Sequence, residues 1–544
     1  MTPRLLQHYV TTQAERWPEA VAVISDEATL TYGQLDAWSN QLARALRAVG
    51  CRKGSRVCLL APKSATAIAA MLGVYKADGI YVPLDIGSPS ARLRKVIAAA
   101  SPSCILGAGE VAPLIDELLA ADPSTSIAVG WLGPCAPSGG RFVPRFGSDD
   151  VSTFPAGPLR ADNCEDAPAH ILFTSGSTGT PKGAVITHAN VIAFTEWAVR
   201  YFGIGSADRQ SCHSPLHFDL SVFDIFGTLA AGARLYLVDP ALNLLPNRLA
   251  SFIRDHELTQ WFSVPALLTY MARLDVVRHG DFSGLRRLLW CGEVLPTPIL
   301  QYWMQRLPHV TFTNLYGPTE TTIASSYYTV PVCPSDQRQP IPIGVPCNGE
   351  RLLVLGPDLA PLPAGAVGDL YIGGAGLSPG YWQNPDATQA AFIDGPQGER
   401  IYRTGDLASV GHDGLAYFHG RADTQIKSRG HRIELGEIEV ALHTFRDLRE
   451  SAVVAVETDG FEGRTLCCAY VPAGSDGVSP AALRRRLGEL LPPYMVPSKW
   501  RVFSALPKNV NGKIDRPRLV QEFSPRRTRR DSTVAPARDS RLVV

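Results

Sequence analysis

The segment ILFTSGSTGTPKGAVITH joins two apolar runs through a stretch of glycines, hydroxyl side chains and one lysine. The apolar runs, residues 171–174 and 184–186, have the length and composition of buried strands. Glycine and proline residues separate the two runs, so residues 175–183 are predicted to form a connecting loop. Backbone N–H groups, hydroxyls and an ammonium group together suit an anion. The segment therefore predicts a fold in which two buried elements are joined by an anion-binding loop.

Length and composition are those of an ordinary globular protein with more than one domain. The chain has 544 residues, is 45% hydrophobic and 19% charged, and carries a formal net charge of +1. That length exceeds one typical hydrophobic core, and the balanced charge argues against a general nucleic-acid binder. No stretch approaches the ~18 uninterrupted apolar residues of a membrane span, and the N-terminus lacks a secretory signal. The eleven cysteines include no C-x-x-C pair, which favours reduced thiols in a cytoplasmic protein over a disulfide framework or a metal site.

Short β-rich runs alternate with helical patterns along most of the chain, the rhythm of a layered α/β domain. Residues 56–60 and 234–238 have strand composition, and residues 65–77 and 249–256 have helical spacing. The Pro-, Gly- and Ser-rich segment 133–158 predicts a long surface loop.

The pattern changes twice further along the chain. Strand-like runs with glycine turns, at residues 351–355 and 368–374, predict a small β-rich subdomain. A later series predicts a compact α+β domain, with helices at residues 435–445 and 480–491 and strands at residues 452–456 and 465–471. We therefore expect an N-terminal domain over residues 1–422, a C-terminal domain over 423–520 and a disordered, arginine-rich tail over 521–544.

Three further segments carry side chains suited to a nucleotide. NLYGPTETT offers an aromatic ring, hydroxyls and a carboxylate, Glu320, that suits Mg²⁺. YRTGDL places Asp406 where it suits ribose hydroxyls, and NVNGKIDR presents Lys513 in an Asn-Gly turn. Each segment taken alone also fits an ordinary turn, and a lysine at a hairpin tip is usually solvated.

These segments and seven others, all in order over residues 5–519, carry a resemblance to a known family. The matching stretches are LTYGQL, YVPLD, LFTSGSTGTPKG, FDLSVFD, NLYGPTETT, GDLYIGGAGLSPGY, YRTGDL, GRADTQIKSRGHRIELGEIE, LPPYMVP and NGKIDR. The chain resembles the adenylate-forming superfamily, specifically the amino-acid adenylation domains of nonribosomal peptide synthesis. The resemblance implies a large N-terminal domain of layered α/β sheets with a β-rich subdomain, and a small, mobile C-terminal α+β domain.

The resemblance also implies a reaction and the residues that perform it. ATP and a carboxylate give an acyl-adenylate and pyrophosphate, and the acyl group then passes to a thiol; both steps depend on positioning and charge stabilisation. ATP and Mg²⁺ are the expected cofactors. The residues expected to hold ATP are Thr174, Ser175, Gly176, Ser177, Thr178, Gly179, Thr180, Lys182, Asn314, Tyr316, Gly317, Thr319, Asp406 and Arg421.

Three further residues have distinct roles by the same resemblance. Glu320 is expected to bind Mg²⁺, and Lys513 to be the catalytic lysine between the substrate carboxylate and the α-phosphate. Asp423 is expected to be the hinge of the small domain. A swing about it would carry Lys513 out and bring residues 429–432 towards the thiol donor.

Asp219, in FDLSVFD, is expected to pair with the α-ammonium of an amino acid through a charge-assisted contact, although an aspartate there also suits a helix N-cap. The other expected pocket residues are Leu220, Phe223, Phe262, Leu289, Cys291, Leu315, Ile323 and Ala324. Because none is strongly polar, a polar substrate side chain would be buried there without a partner. The set is similar to that of stand-alone prolyl adenylation enzymes that feed pyrrole-forming pathways. We expect L-proline as the substrate, with alanine, valine or a relative as the alternative.

The expected partner is a separate peptidyl carrier protein with a phosphopantetheine arm, and no nucleic acid or membrane is expected. Three other interpretations remain. A ligase that transfers to coenzyme A is disfavoured by Asp219. A catalytically dead adenylate-binding module is disfavoured because Lys513, Glu320 and the hydroxyl loop are retained. A kinase or P-loop ATPase would release ADP, and the Walker spacing is absent.

Overall fold

The structure is a computed structural model that describes residues 4–120, 127–134, 142–176, 179–457, 464–474, 477–509 and 513–524. Its strands form from apolar runs of the kind predicted above. Within these ranges the strands are β1 (Val21–Ile24), β2 (Thr29–Thr31), β3 (Arg56–Leu60), β4 (Ile80–Pro83), β5 (Cys104–Gly107), β6 (Ala128–Trp131), β7 (Phe146–Gly147), β8 (Pro168–Thr174), β9 (Lys182–Thr187), β10 (Arg209–Cys212), β11 (Arg234–Leu237), β12 (Gln260–Ser263), β13 (Arg287–Cys291), β14 (Thr311–Tyr316), β15 (Ser326–Thr329), β16 (Val345–Pro346), β17 (Glu350–Leu355), β18 (Gly368–Gly374), β19 (Gly380–Tyr381), β20 (Phe392–Asp394), β21 (Arg400–Val410), β22 (Ala416–Arg421), β23 (Gln425–Ser428), β24 (His431–Glu434), β25 (Leu448–Glu457), β26 (Arg464–Pro472) and β27 (Lys499–Val502).

The α-helices in the same ranges follow the amphipathic and apolar stretches between these strands. They are α1 (Gln7–Arg16), α2 (Tyr32–Ala48), α3 (Ala65–Lys76), α4 (Ser90–Ala100), α5 (Ala112–Ala120), α6 (Ser148–Thr153), α7 (His188–Phe202), α8 (Leu220–Ala231), α9 (Pro246–Asp255), α10 (Pro265–Arg273), α11 (Thr297–Arg306), α12 (Pro385–Ala391), α13 (Leu435–His443), α14 (Pro480–Gly488) and α15 (Arg516–Phe523).

Two large sheets build the N-terminal domain. One has nine strands in the order β16-β15-β14-β13-β12-β10-β11-β1-β2, and the other has eight in the order β19-β9-β8-β4-β3-β5-β6-β7. Their central strands are parallel and buried, as expected of strands covered on both faces. The main core contains residues of α2, α3, α7 and α8 together with strand residues of both sheets. These helices therefore form a layer between the sheets, which confirms the layered α/β expectation.

A five-stranded antiparallel sheet follows, with β22 paired to β21 and the rest in the order β17-β18-β21-β20. This is the expected β-rich subdomain. The small C-terminal domain begins with the hairpin β23–β24 and continues as the sheet β25-β26-β27, against which α13 and α15 pack. Its α+β character is as expected from the sequence.

Segment 133–158 was expected to be one long loop, and that expectation is wrong in its second half. Residues 135–141 lie outside the described residues, but β7 and α6 occupy Phe146 to Thr153. The α6 helix forms because Asp150 accepts a hydrogen bond from the backbone N–H of Gly147, 2.8 Å away, and Val151 is fully buried. A local helix-start signal thus outweighs the surrounding glycines and prolines.

Smaller differences concern the ends of elements. The helices α13 and α14 end before residues 445 and 491, and α15 extends to Phe523, so residues 521–523 belong to a helix and not to the tail. Leu519 anchors α15 because its side chain is fully buried. Residues 525–544 lie outside the described residues.

The ten described cysteines are free thiols. No helix in the described ranges is long and apolar enough to cross a membrane.

Candidate active site

A cleft with about 990 Å³ of empty space opens between the two domains. The N-terminal domain contributes the carboxyl ends of β8, β13 and β14, where ligands bind in open α/β sheets, and the small domain contributes β23, β24 and Tyr494. The lining residues are Arg92, 172–175, 217–220, Val264, Cys291, Gly292, 317–319, Thr404, Asp406, Arg421, Gln425, Lys427, 430–432 and Tyr494.

The anion-binding loop begins where β8 ends, and its first residues line the cleft. Gly176 has no room for a side chain, since a Cβ atom would lie 2.1 Å from the carbonyl oxygen of Thr180. Gly179 adopts φ +78°, which favours glycine, and its carbonyl accepts a hydrogen bond from Lys95 at 2.9 Å. Lys182 begins β9, with its ammonium 5.5 Å from the ring centre of Tyr381. Ser177 and Thr178 lie outside the described residues.

Asp406 lies on β21 opposite Arg421 on β22. The guanidinium of Arg421 donates to one carboxylate oxygen, and the hydroxyl of Tyr316 donates to the other. Burial, and then the charge of Asp406, raise the pKa of Tyr316 well above its usual range, so this hydroxyl stays a donor. Asn314, also buried, donates to the carbonyl of Pro342 at 2.8 Å. Tyr316, Asp406 and Arg421 are thus brought together, and Asp406 and Arg421 line the cleft, whereas Asn314 and Tyr316 do not.

Asp423 follows two residues after Arg421 and is held by it. The Arg421 side chain donates to both oxygens of Asp423, at 2.7 and 2.6 Å, and the backbone N–H of Gln425 donates to one of them at 3.0 Å. The expected hinge position is therefore tied to the expected ribose site by one arginine.

Glu320 is almost fully buried, and both of its carboxylate oxygens are engaged. Tyr381 donates to Oε1 at 2.7 Å, and Arg432 of the small domain donates to Oε2 at 2.7 Å. Burial alone would raise the pKa of Glu320, but the charge of Arg432 and the Tyr381 hydrogen bond outweigh it and lower the pKa.

Glu320 is also the residue expected to bind Mg²⁺, and the structure allows a test of the fit. No group of three or more His, Cys, Asp or Glu side chains that could hold a metal occurs among the described residues. Mg²⁺ is usually held by one or two carboxylates together with water and phosphate oxygens, so Glu320 fits as a single protein ligand. The fit requires Arg432 to withdraw, because the guanidinium and the metal would compete for the same oxygen.

Asp219 precedes α8 but makes no side-chain cap hydrogen bond to the helix, so the N-cap alternative is not realised. Asp219 lines the cleft, and its carboxylate lies near Thr319, which also lines it. Burial raises its pKa to about 6, against the lowering effects of Thr319 and of the Lys427 charge. The cleft thus contains the Asp219 carboxyl group, whose pKa is raised, and the ammonium group of Lys427.

The apolar residues expected around the amino acid come from neighbouring elements. Phe262 pairs with Leu289 across β12 and β13, and Cys291 pairs with Leu315 across β13 and β14. The ring centres of Phe223 and Phe262 are 5.8 Å apart. Leu220 and Cys291 line the cleft, whereas the other six, Phe223, Phe262, Leu289, Leu315, Ile323 and Ala324, lie in the main core with exposed fractions of at most 2%.

The hairpin β23–β24 closes the cleft through its tight turn. Gly430 adopts φ +81°, and a Cβ atom there would lie 2.8 Å from Val264. Its backbone N–H donates to Glu293 of the N-terminal domain at 2.8 Å. The next residue, His431, stacks on Tyr494 with ring centres 3.6 Å apart. Close approach at this turn therefore requires glycine on both steric and conformational grounds.

Further contacts join the small domain to the anion-binding loop and to α4. The hydroxyl of Ser175 donates to the backbone carbonyl of Arg432 at 2.8 Å. Arg92 on α4 and Glu437 on α13 form an ion pair in which both side chains are buried. The anion-binding loop is consequently covered by the small domain in this arrangement.

Lys513 is exposed and is not among the described residues that line the cleft; Lys427 is. The backbone N–H of Lys513 donates to the side chain of Asn509 at 3.0 Å, and residues 510–512 of its turn lie outside the described residues.

Two cleft residues, Lys427 and Arg92, were given no role from the sequence. Lys427 lies within the matching stretch GRADTQIKSRGHRIELGEIE, so the family resemblance could have indicated it. Arg92 lies outside every matching stretch, so the sequence held no such indication.

Comparison with known proteins gives consistent matches over both domains. A family described as AMP-binding enzyme matches residues 10–382, and one described as AMP-binding enzyme C-terminal domain matches residues 437–513. The chain is 34% identical over 513 residues to tyrocidine synthase 1 of Brevibacillus parabrevis, which covers 94% of this chain and 44% of that protein. It is 33% identical over 519 residues to the L-proline--[L-prolyl-carrier protein] ligase of Pseudomonas fluorescens, which covers 95% of this chain and 99% of that protein.

Among solved structures, the adenylation domain AlmE of Vibrio cholerae, in complex with glycyl-adenosine-5'-phosphate, has a TM-score of 0.81 and 25% identity. The match covers 95% of this chain and 97% of that one. The chain spans less than half the length of the multi-domain peptide synthases that it resembles, 44% for tyrocidine synthase 1 and 7% for tyrocidine synthase 3.

Proposed function

The chain belongs to the AMP-binding enzyme family, and on that premise we propose that it activates an amino acid, L-proline, with ATP. The products of this first reaction are prolyl-AMP and pyrophosphate. In a second reaction the prolyl group passes to the phosphopantetheine thiol of a separate carrier protein, and AMP is released.

One observation carries the proposal: Asp219 lies in the same cleft as the first residues of the anion-binding loop and the Asp406–Arg421 pair. A carboxylate without a helix-cap bond, buried next to a phosphate-type site, suits a cationic group that enters with the nucleotide. An α-amino acid has such a group beside its carboxylate, whereas a fatty or aryl acid has none.

In the first reaction, an oxygen of the substrate carboxylate attacks the α-phosphorus, and the bond from that phosphorus to the pyrophosphate oxygen breaks. Asp219 holds the ammonium, and Thr319 contacts the α-phosphate. Ser175 and its loop hold the departing phosphates, and Asp406 accepts the ribose hydroxyls. Mg²⁺, when bound through Glu320, neutralises phosphate charge. Lys513 stabilises the charge that develops at the α-phosphate, which requires the small domain to turn.

In the second reaction, the thiol sulfur attacks the acyl carbon, and the bond from that carbon to the AMP oxygen breaks. The arrangement described here suits this step. The β23–β24 turn closes the cleft, Lys513 is outside, and Lys427 lies in the cleft near Asp219. An ammonium group at Lys427 can stabilise negative charge on the carbonyl oxygen or on the leaving AMP.

Two observations support L-proline over other amino acids. The eight expected pocket residues, of which Leu220 and Cys291 line the cleft, are apolar or weakly polar, so they favour a compact apolar ring over a polar side chain. The Pseudomonas fluorescens relative, which matches this chain over 99% of its own length, is named as a prolyl ligase acting on a carrier protein.

The test is amino-acid-dependent exchange of labelled pyrophosphate into ATP over the common amino acids. Cyclopentanecarboxylate serves as the analogue of proline without an amino group. We expect the strongest exchange with L-proline, little with the analogue, and strong loss in Asp219→Ala and Lys513→Ala. Exchange strongest with alanine or valine would overturn the pocket assignment and leave amino-acid activation standing.

Transfer is tested separately with a phosphopantetheinylated carrier protein of a prolyl-loading pathway and with free coenzyme A. Loading of the carrier and no thioester with coenzyme A are expected. Exchange with simple carboxylic acids, together with coenzyme A thioester formation, would replace the proposal with an acyl-coenzyme A ligase.

A further inference from the structure

A charged cluster lies behind the cleft, at the start of the loop that carries Asp219. Lys63, in the loop between β3 and α3, donates from its ammonium to the backbone carbonyls of Cys212 and His213, both at 2.7 Å. Cys212 is the last residue of β10, and His213 is the next. Lys63 does not line the cleft described above, so it has no direct contact with the substrate site.

Asp224, on α8, approaches the same piece of backbone from the other side. Its side chain is fully buried, and its carboxylate faces the backbone N–H groups of His213 and Ser214 and the charge of Lys63. Neither carboxylate oxygen of Asp224 has a hydrogen-bond partner among the described residues. Burial raises the pKa of Asp224 well above its usual range, and the Lys63 charge and the two N–H groups oppose that rise.

Lys63 holds the backbone at residues 212 and 213 by two hydrogen bonds, and the buried carboxylate of Asp224 lies near the same backbone. Movement of this backbone away from the Lys63 ammonium therefore loses two charge-assisted contacts. The His213 ring adds a third tie, because its Nε2 lies 2.7 Å from Oδ1 of Asn243.

The segment from residue 212 to Asp224 begins at the backbone that Lys63 holds, and Asp219 lies within it. Short backbone bonds stiffen its second half: Phe218 N–H to Pro215 carbonyl at 3.0 Å, and Ser221 hydroxyl to Phe218 carbonyl at 2.6 Å. Among the described residues, no charged side chain forms a hydrogen bond with residues 215–218. Lys63 holds the start of this segment, and the buried helix α8 is its end. The position of the Asp219 carboxylate consequently depends on where the ends are fixed.

We propose that Lys63, with the buried carboxylate of Asp224 beside it, is a positioning residue for the amino-acid subsite: it fixes the start of the segment that carries Asp219, and thereby determines where the substrate ammonium binds. The inference rests on the proposed function, in which Asp219 binds that ammonium. A buried lysine near a buried carboxylate is a costly way to gain stability alone, because apolar side chains of similar volume often serve as well. It is well suited to fixing a backbone position, since small displacements of a binding group have large effects on reaction rates.

The experiment compares Lys63→Met and Asp224→Asn with the wild type in pyrophosphate exchange. For each protein, KM is measured for the preferred amino acid and for ATP. We expect the amino-acid KM to rise about tenfold or more, as for loss of much of a charge-assisted contact, and the ATP KM to stay within about twofold. The preference for the amino acid over its analogue without an amino group should fall in parallel, and Lys63→Arg should restore part of it.

Lys76→Met is the matched control, since Lys76 is a buried lysine paired with Asp36 at 2.6 Å, and neither residue contacts the Asp219 loop. It should lower the melting temperature and leave both KM values unchanged. KM does not depend on how much of the sample is folded, so residual activity in a poorly folded variant still gives the answer.

The inference is overturned if Lys63→Met and Asp224→Asn leave the amino-acid KM unchanged, or raise the amino-acid and ATP KM values by the same factor. It is also overturned if Lys76→Met gives the same split as Lys63→Met. Failure of the proposed function has a different signature, because the wild type would then show no amino-acid-dependent exchange at all.

Discussion

Lowering the pH from 8 to 5 should weaken amino-acid binding through protonation of Asp219. Burial raises the pKa of this carboxyl group to about 6 in the free enzyme, with the Glu320 charge acting in the same direction and Thr319 and Lys427 against it. At pH 8 the group is ionised and attracts the substrate ammonium. At pH 5 only about a tenth of the molecules carry the charge, so the amino-acid KM should be about tenfold higher than at pH 8.

The sign follows from which form binds. The substrate ammonium prefers the carboxylate, so KM should fall as pH rises through about 6 and then level off. The assay is pyrophosphate exchange at pH 5, 6, 7 and 8 with saturating ATP, and the ATP KM at each pH serves as the internal reference.

The Asp219→Asn variant separates the pH dependence due to Asp219 from that due to other groups, because His217 and the other titrating groups of the cleft remain in it. Its amino-acid KM should be high and nearly independent of pH. A wild-type KM that does not vary between pH 5 and 8 would refute the reasoning. So would a slope of the same size in Asp219→Asn.

Three other expectations concern stability and the two half-reactions. Asp219→Asn should raise the free energy of unfolding by about 1–3 kcal/mol at pH 8 and by little at pH 4, because an acid of raised pKa destabilises the folded state only where it is ionised; thermal melts at both pH values check this. Lys513→Ala should slow pyrophosphate exchange about 100-fold or more, whereas Lys427→Met should slow carrier loading and leave exchange within about threefold; equal losses in both reactions for either variant would contradict the division of roles. Gly430→Ala should slow carrier loading about tenfold or more at unchanged exchange, because φ +81° and the 2.8 Å approach to Val264 both oppose a side chain; unchanged loading, measured by mass spectrometry of the carrier, would show that the turn tolerates it.

The site residues within one short segment were predictable because spacing in the sequence fixes their local geometry. Asp219 and the opening of the anion-binding loop reach the cleft from a helix or strand end that an apolar run and a breaker residue delimit, whereas Asp406 reaches it from the middle of β21. The register of β12, β13 and β14 pairs Phe262 with Leu289 and Cys291 with Leu315; these positions were expected from the family resemblance alone.

The placement of the small domain was not predictable in the same way. Lys427, Arg432 and Lys513 lie within or near matching stretches, yet which of them occupies the cleft depends on a rigid-body arrangement set by a few contacts across the domain boundary. No periodicity or residue spacing in the sequence predicts which arrangement of the two domains is the more stable. The partner of Arg92, Glu437, lies 345 positions away and has no local signal for the same reason.

The contacts of Ser175 and Glu320 with Arg432 have a consequence for how tightly this protein holds ATP. Both side chains are expected to meet the phosphates or their metal, and both are occupied by the small domain in this arrangement. ATP must therefore bind to the fraction of molecules in which the small domain has moved away, and its measured dissociation constant is the intrinsic one divided by that fraction. Every contact that strengthens the closed arrangement lowers the affinity for the first substrate. The affinity of the wild type for ATP is thus set in part by residues that never touch the nucleotide.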